Sequence, residues 1–107
     1  MNLQDKTRIR ELNDAFRKTF VGGSVMLTVG VQALSEQARA TLLARVTHFD
    51  AFDENNDPHH EHDFGALDIE GQRFFWKLDL YEQPGVKDAD GEPVVTRVLT
   101  IMLAEEY

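Results

Sequence analysis

The stretch Val94–Leu103 is apolar on both faces of an extended chain, with Val95, Leu99, Ile101 and Leu103 on one side and Val94, Val98 and Met102 on the other. A strand of that kind needs cover above and below, so it is predicted to be central in its sheet. Its nearest companions in sequence are Phe64–Ile69 and Gln72–Tyr81, which read as a hairpin joined at Glu70-Gly71, where glycine supplies a positive φ. In the second arm Phe74, Trp76, Leu78 and Leu80 share one face, while Arg73, Phe75, Lys77, Asp79 and Tyr81 share the other. A loop from Glu82 to Pro93, marked by Pro84-Gly85 and Asp90-Gly91, is expected before the central strand. A fourth strand is expected over Ser24–Val31, where Val25, Leu27, Val29 and Val31 alternate.

Two segments carry helical spacing instead. Over residues 3–20, Ile9, Leu12, Phe16 and Phe20 recur at three- and four-residue intervals, with Arg and Lys expected on the opposite face. Asn2 or Asp5 can cap that helix, and Gly22-Gly23 marks its end. Ser35 is a good N-cap for a second helix of about 14 residues, with Ala38, Leu42, Leu43, Val46 and Phe49 facing inward. The order α-β-α-β-β-β predicts an α+β fold, two helices on a largely antiparallel sheet of about four strands, formed by residues 1–107 as one domain.

Charge divides the chain. Residues 1–23 hold five Lys or Arg against three acids. Between Arg45 and Arg73 there is no Lys or Arg, yet eight acids occur: Asp50, Asp53, Glu54, Asp57, Glu61, Asp63, Asp68 and Glu70. With a formal net charge of −8, most of this surface would repel a phosphate backbone, so direct nucleic-acid binding is not expected. Cations or a basic protein surface are the partners such a field favours. The chain has no cysteine, which removes disulfides, thiolate nucleophiles and cysteine-ligated metals. No apolar run approaches the roughly 20 residues that span a bilayer, and the Met1-Asn2-Leu3-Gln4-Asp5-Lys6 start lacks the build of a secretory signal. A cytoplasmic location is expected.

The chemistry-bearing residues crowd into 50–63, where three of the four histidines fall within four positions. Imidazole and carboxylate together are a ligand set for divalent transition metals and a pair for acid–base work. Were residues 59–63 extended, His60 and His62 would face one side and His59, Glu61 and Asp63 the other, with Asp53 or Asp57 able to fold back onto either. Asp53, Asn55 and Asp57 imitate the start of a calcium loop, but Pro58 stands where the sharp turn needs glycine and Phe64 where a bidentate Glu is needed. Asn56-Asp57-Pro58 alone is turn chemistry, which leaves Glu61-His62-Asp63 unexplained. His48 reads as an ordinary, partly buried helix residue. Asp63-Phe64-Gly65 lacks the context of a kinase magnesium motif, and Gly22-Gly23 lies in the wrong order for a phosphate loop. Phe74-Phe75-Trp76 reads mainly as core, although Phe75, beside Arg73 and Lys77, is a candidate partner surface.

Asp14-Ala15-Phe16-Arg17, Thr19-Phe20-Val21-Gly22-Gly23, Phe49-Asp50-Ala51-Phe52, Asn56-Asp57-Pro58, Glu61-His62-Asp63-Phe64-Gly65, Phe75-Trp76-Lys77 and the run Arg97–Ala104 together resemble a family of small proteobacterial proteins. That family is catalogued as a domain of unknown function and is often carried on plasmids and other mobile elements. The resemblance implies no activity or cofactor. Its pattern has a small residue, often Gly, where this chain has His60, which moves the expected metal set to His59, His62, Asp57 and Asp63, with a divalent metal as the cofactor. The leading expectation is a small acidic binding protein, a mobile-element accessory whose Asp50, Asp53, Glu54, Asp57, Glu61 and Asp63 mimic nucleic-acid charge and block a basic host protein. The alternative is a metal-dependent or acid–base enzyme built on 57–63, and a third reading is an oligomer formed through the aromatic hairpin.

Overall fold

The structure, a computed structural model, describes residues 3–107, with side chains from Thr7 onward. Helix α1 (Leu3–Thr19) leads into strand β1 (Gly23–Leu27), a single helical turn α2 (Val29–Gln32) and helix α3 (Glu36–Thr47). After a long loop come β2 (Phe64–Ile69), β3 (Gln72–Lys87), β4 (Pro93–Leu103) and a closing 3-10 turn, Ala104–Glu106. The four strands form one sheet in the order β1-β4-β3-β2. β4 is therefore internal, as its two apolar faces require. β2–β3 and β3–β4 are antiparallel and β1–β4 is parallel, so the fold is α+β with a mixed sheet.

The helices cover one face. Phe16, Val31, Leu42 and Val46 pack on Leu67, Phe74, Trp76, Leu78, Leu99 and Ile101, all buried, and this cluster is the core. Ser35 caps α3 as its sequence suggests, its hydroxyl accepting from the Ala38 amide at 3.1 Å. The β2–β3 turn places Glu70 at φ 50° and Gly71 at φ 79°, the two positive values a tight type I′ hairpin demands. Gly65 lies directly opposite Trp76 in that hairpin. A Cβ at position 65 would fall 2.7 Å from Trp76 Cε2 and 2.8 Å from Phe49 Cε1, so the indole needs glycine there.

Four local expectations are corrected. First, β1 ends at Leu27, not Val31. The Glu106 carboxylate accepts from the Gly30 amide at 2.9 Å, the Leu103 amide at 2.8 Å and the Thr28 hydroxyl at 2.6 Å. That clasp goes with a helical turn in which Val31 is fully buried and Val29 is 80% exposed, whereas a strand would put both on one face. The same three bonds hold the Glu106 carboxyl below its ordinary range. Second, β3 runs on to Lys87 and the expected loop 82–93 shrinks to 88–92. Gly85, at φ 75°, sits in a strand irregularity between Glu82 and Lys87 rather than in a turn. The turn itself is closed by Asp88, whose Oδ1 accepts from the Asp90 and Glu92 amides. Third, Arg17 is 1% exposed on the inner face of α1, while Leu12 is 41% exposed. Fourth, His48 is exposed and caps α3, its Nδ1 2.9 Å from the Ala44 carbonyl. Asn2 lies outside the described residues, and Asp5 falls within α1.

Candidate functional site

The loop 50–63 is held by its own carboxylates. Asp53 Oδ1 accepts from the Asn55 and Asn56 amides at 2.8 and 3.0 Å. Asn56 in turn spans the loop, taking the Asp53 amide and donating to the Ala51 carbonyl, both at 2.9 Å. Asp57 is 2% exposed, and its Oδ1 accepts from the Glu61 and His62 amides at 3.0 Å each. The Asp53–Asn55 bond is an Asx turn, whereas Asp57 reaches four and five residues ahead and closes a wider loop. The stretch after Pro58 is not extended. His60 and His62 have φ of 56° and 54°, so the alternation expected for 59–63 does not exist. Glycine, with no Cβ, adopts that conformation with less strain than His.

Each residue of Glu61-His62-Asp63 makes a long-range tie. The Glu61 carbonyl accepts from Asn13 Nδ2 at 3.0 Å, and Asn13 Oδ1 accepts from Arg97 Nε at 3.0 Å, so one buried amide bridges α1, the loop and β4. His62 Nδ1 meets the two Asp14 oxygens at 2.9 and 3.0 Å, and its Nε2 stands 3.5 Å from Asp57 Oδ2. Its ring lies flat on Phe52, with centroids 3.7 Å apart and planes 1° from parallel. The Asp63 carbonyl accepts from the Leu78 amide at 2.8 Å, carrying the loop into the sheet. Burial holds the Asp63 carboxyl above its ordinary range, and Asp57 and Asp79 add to that effect against its own backbone amide and His59.

Beneath the loop lies Arg17. Its Nη1 donates to the Val46 and Phe49 carbonyls at 2.9 and 3.0 Å and more distantly to that of Thr47, and its Nη2 donates to Asp14 Oδ1 at 3.1 Å. The guanidinium also sits 5.1 Å from the Trp76 ring and 5.5 Å from that of Phe52. A cation among the terminal carbonyls of α3 matches the negative end of that helix. Phe49 and Phe52 meet Trp76 edge-on, completing an aromatic box around the charge. Arg17 Nε and Trp76 Nε1 are buried with no hydrogen-bond partner. An open cleft of about 500 Å³ borders this network, lined chiefly by Asp14, Lys18, His48, Asp50, Phe52 and His62.

Of the expected metal set, the structure sets His62 Nε2 3.5 Å from Asp57 Oδ2, and Asp63 lies close enough to Asp57 and His59 for their charges to act on it. His59 is exposed, and His62 turns to Asp14. Among the described residues no group of three or more His, Asp or Glu side chains is arranged to hold a metal ion. Of the six acids expected on the binding surface, Asp50, Asp53 and Glu54 are exposed, Glu61 and Asp63 are half-buried, and Asp57 is internal. Asn13, Asp14 and Arg17, absent from the expected site, carry its wiring. The signal for Asn13 was present: positions 9, 13, 16 and 20 form an inward stripe as regular as one drawn through Leu12.

No helix among the described residues is long and apolar enough to cross a membrane. No curated protein and no solved structure matches the chain. A family model described as protein of unknown function (DUF3768) matches residues 27–106, from the end of β1 to the closing turn, leaving α1 outside the matched part. The chain belongs to that family.

Proposed function

We propose that this is a small acidic binding protein that presents the 50–63 loop to a basic surface on a partner protein. One observation carries the reading: around this loop the main cation is turned inward and the free carboxylates outward. Arg17 is spent on carbonyls and Asp14 in the interior, while Asp50 and Glu54 stand exposed on a loop already fastened by Asp53 and Asp57. A fixed set of charges loses little conformational freedom on binding and steers association with a surface of opposite sign. In its finer form the partner is a nucleic-acid-handling or defence protein of the host, met in the cytoplasm. The protein then acts as a mobile-element accessory that occupies a phosphate-binding groove. The test is capture of basic proteins from a host lysate by the wild type and by an Asp50→Lys, Glu54→Lys variant, each across a salt series. A partner retained by the wild type, released by salt and lost in the variant supports the reading. Retention that ignores both salt and the substitutions rejects it.

A metal-dependent or acid–base enzyme keeps one observation on its side, the His62–Asp14 contact of 2.9 Å at the edge of the cleft. Both ring nitrogens of His62 face carboxylates, so Asp14, rather than the imidazole, would have to meet a substrate. Stoichiometric divalent metal in the purified protein, lost on His62→Ala, would favour this second reading.

A further inference from the structure

Past Lys77, β3 has a sheet neighbour on one side only. β2 pairs with it from Gln72 to Lys77, the Leu78 amide reaches the Asp63 carbonyl, and there the loop turns away. Peptide groups alternate sides along a strand, so the N–H and C=O of Leu80 and Glu82 point as those of Leu78 do, away from β4. The pairing on the far side agrees, since the Ile101 carbonyl faces Thr28 and β1. Among the described residues no group outside the β3–β4 ladder takes the amides of Leu80 and Glu82. Pro84 has no N–H to offer, and the irregularity at Gly85 breaks the edge beyond it. What remains is a short open edge rather than a long sticky one.

The surroundings of this edge select its occupant. Leu80 is 39% and Tyr81 56% exposed, which supplies apolar contact. Asp63, Asp79 and Glu82 flank it; Lys77 is already paired with Asp79 at 3.3 Å, and Arg97, opposite Leu80, donates to Asn13 Oδ1 at 3.0 Å. Asp57 and Asp79 both act unfavourably on the Asp63 carboxylate, an effect that an incoming cation beside Asp63 would offset. A second copy of the chain would instead bring these acids against their counterparts.

We propose that a partner's extended, positively charged segment adds to β3 as a further strand, its backbone pairing with Leu80 and Glu82 and its Lys or Arg side chains lying beside Asp63 and Glu82. This rests on the basic-partner reading and names the mode of contact. The test uses the full chain and a capped peptide of alternating Val and Arg, alongside the same peptide N-methylated at alternate amides. N-methylation removes ladder donors and keeps the charge, and it leaves the protein's folding untouched. Binding by the first peptide that protects the Leu80 and Glu82 amides from hydrogen exchange, with affinity at least about tenfold weaker for the methylated one, supports the proposal. An Asp63→Asn, Glu82→Gln variant should bind the first peptide several-fold more weakly at low salt. Equal binding of both peptides, no binding by either, or unprotected Leu80 and Glu82 amides overturns it. So does edge-to-edge self-association that protects the same amides without peptide. Each of those outcomes leaves the Asp50 and Glu54 capture assay to judge the wider reading.

Discussion

Arg17→Met tests the interior wiring, because the substitution keeps the length and apolar stem of the side chain and removes its donors. The Val46 and Phe49 carbonyls, taken at 2.9 and 3.0 Å, lose their charged partner at the end of α3. A buried acceptor left unpaired costs about 1–3 kcal/mol, and loss of a desolvated cation–π contact costs about 1 kcal/mol more. Relief from burying a charge offsets part of that sum, and Asp14 retains His62. The expected net loss is about 3 kcal/mol. With a urea m-value of about 1.5 kcal/mol/M for a chain of this size, the midpoint should fall by about 2 M with m unchanged. Arg17→Lys should lie between the two, since an ammonium cannot span carbonyls and Asp14 as the planar fork does. A midpoint for Arg17→Met within about 0.5 M of the wild type would refute the reasoning, because a loss that small is less than one buried carbonyl is worth.

Three further outcomes follow from other positions. Gly65→Ala forces a methyl against Trp76 and Phe49 and should cost about 1–3 kcal/mol, read by thermal or urea unfolding. His60→Gly exchanges a strained φ of 56° for one glycine adopts freely; after the entropy penalty it should gain about 0.5 kcal/mol, and a clear loss in the same assay would show that the ring has a packing role. Burial holds the Asp63 carboxyl above its ordinary value of 3.8. The Asp63 contribution to stability is therefore fullest below that value and lost as pH rises through the folded one, so the wild type should lose stability relative to Asp63→Asn over that rise. Urea midpoints from pH 3 to pH 7 compare the two, and parallel curves would contradict the assignment.

The parts of the fold that periodicity governs were legible. Two apolar faces placed β4 inside the sheet, Glu70-Gly71 announced a tight hairpin, and Ser35 announced the start of α3. What escaped was set by contacts distant in sequence. Val29 and Val31 fit a strand as well as a turn, and Glu106, 76 positions beyond Gly30, accepts the amide of that turn. Pro84-Gly85 reads as a turn when seen alone, yet β4 continues to pair with β3 past it. On α1 the stripe through Asn13 is as regular as the one through Leu12, so periodicity alone does not choose between them, and it gives no sign that Arg17 turns inward. The Glu61-His62-Asp63 segment makes ties that a turn alone would not need. Its partners Asn13 and Asp14 lie 48 positions away from the residues they bind, and no local spacing rule reports that.

The 50–63 loop is fastened rather than free, and native-state amide hydrogen exchange at Glu61 and His62 tests this most directly. Both amides donate to the buried Asp57 carboxylate at 3.0 Å. They should be protected in the wild type and become fast-exchanging in Asp57→Ala, while the core amides of β3 and β4 stay slow. Fast exchange of the two amides in the wild type, or protection that survives loss of the Asp57 carboxylate, would contradict it.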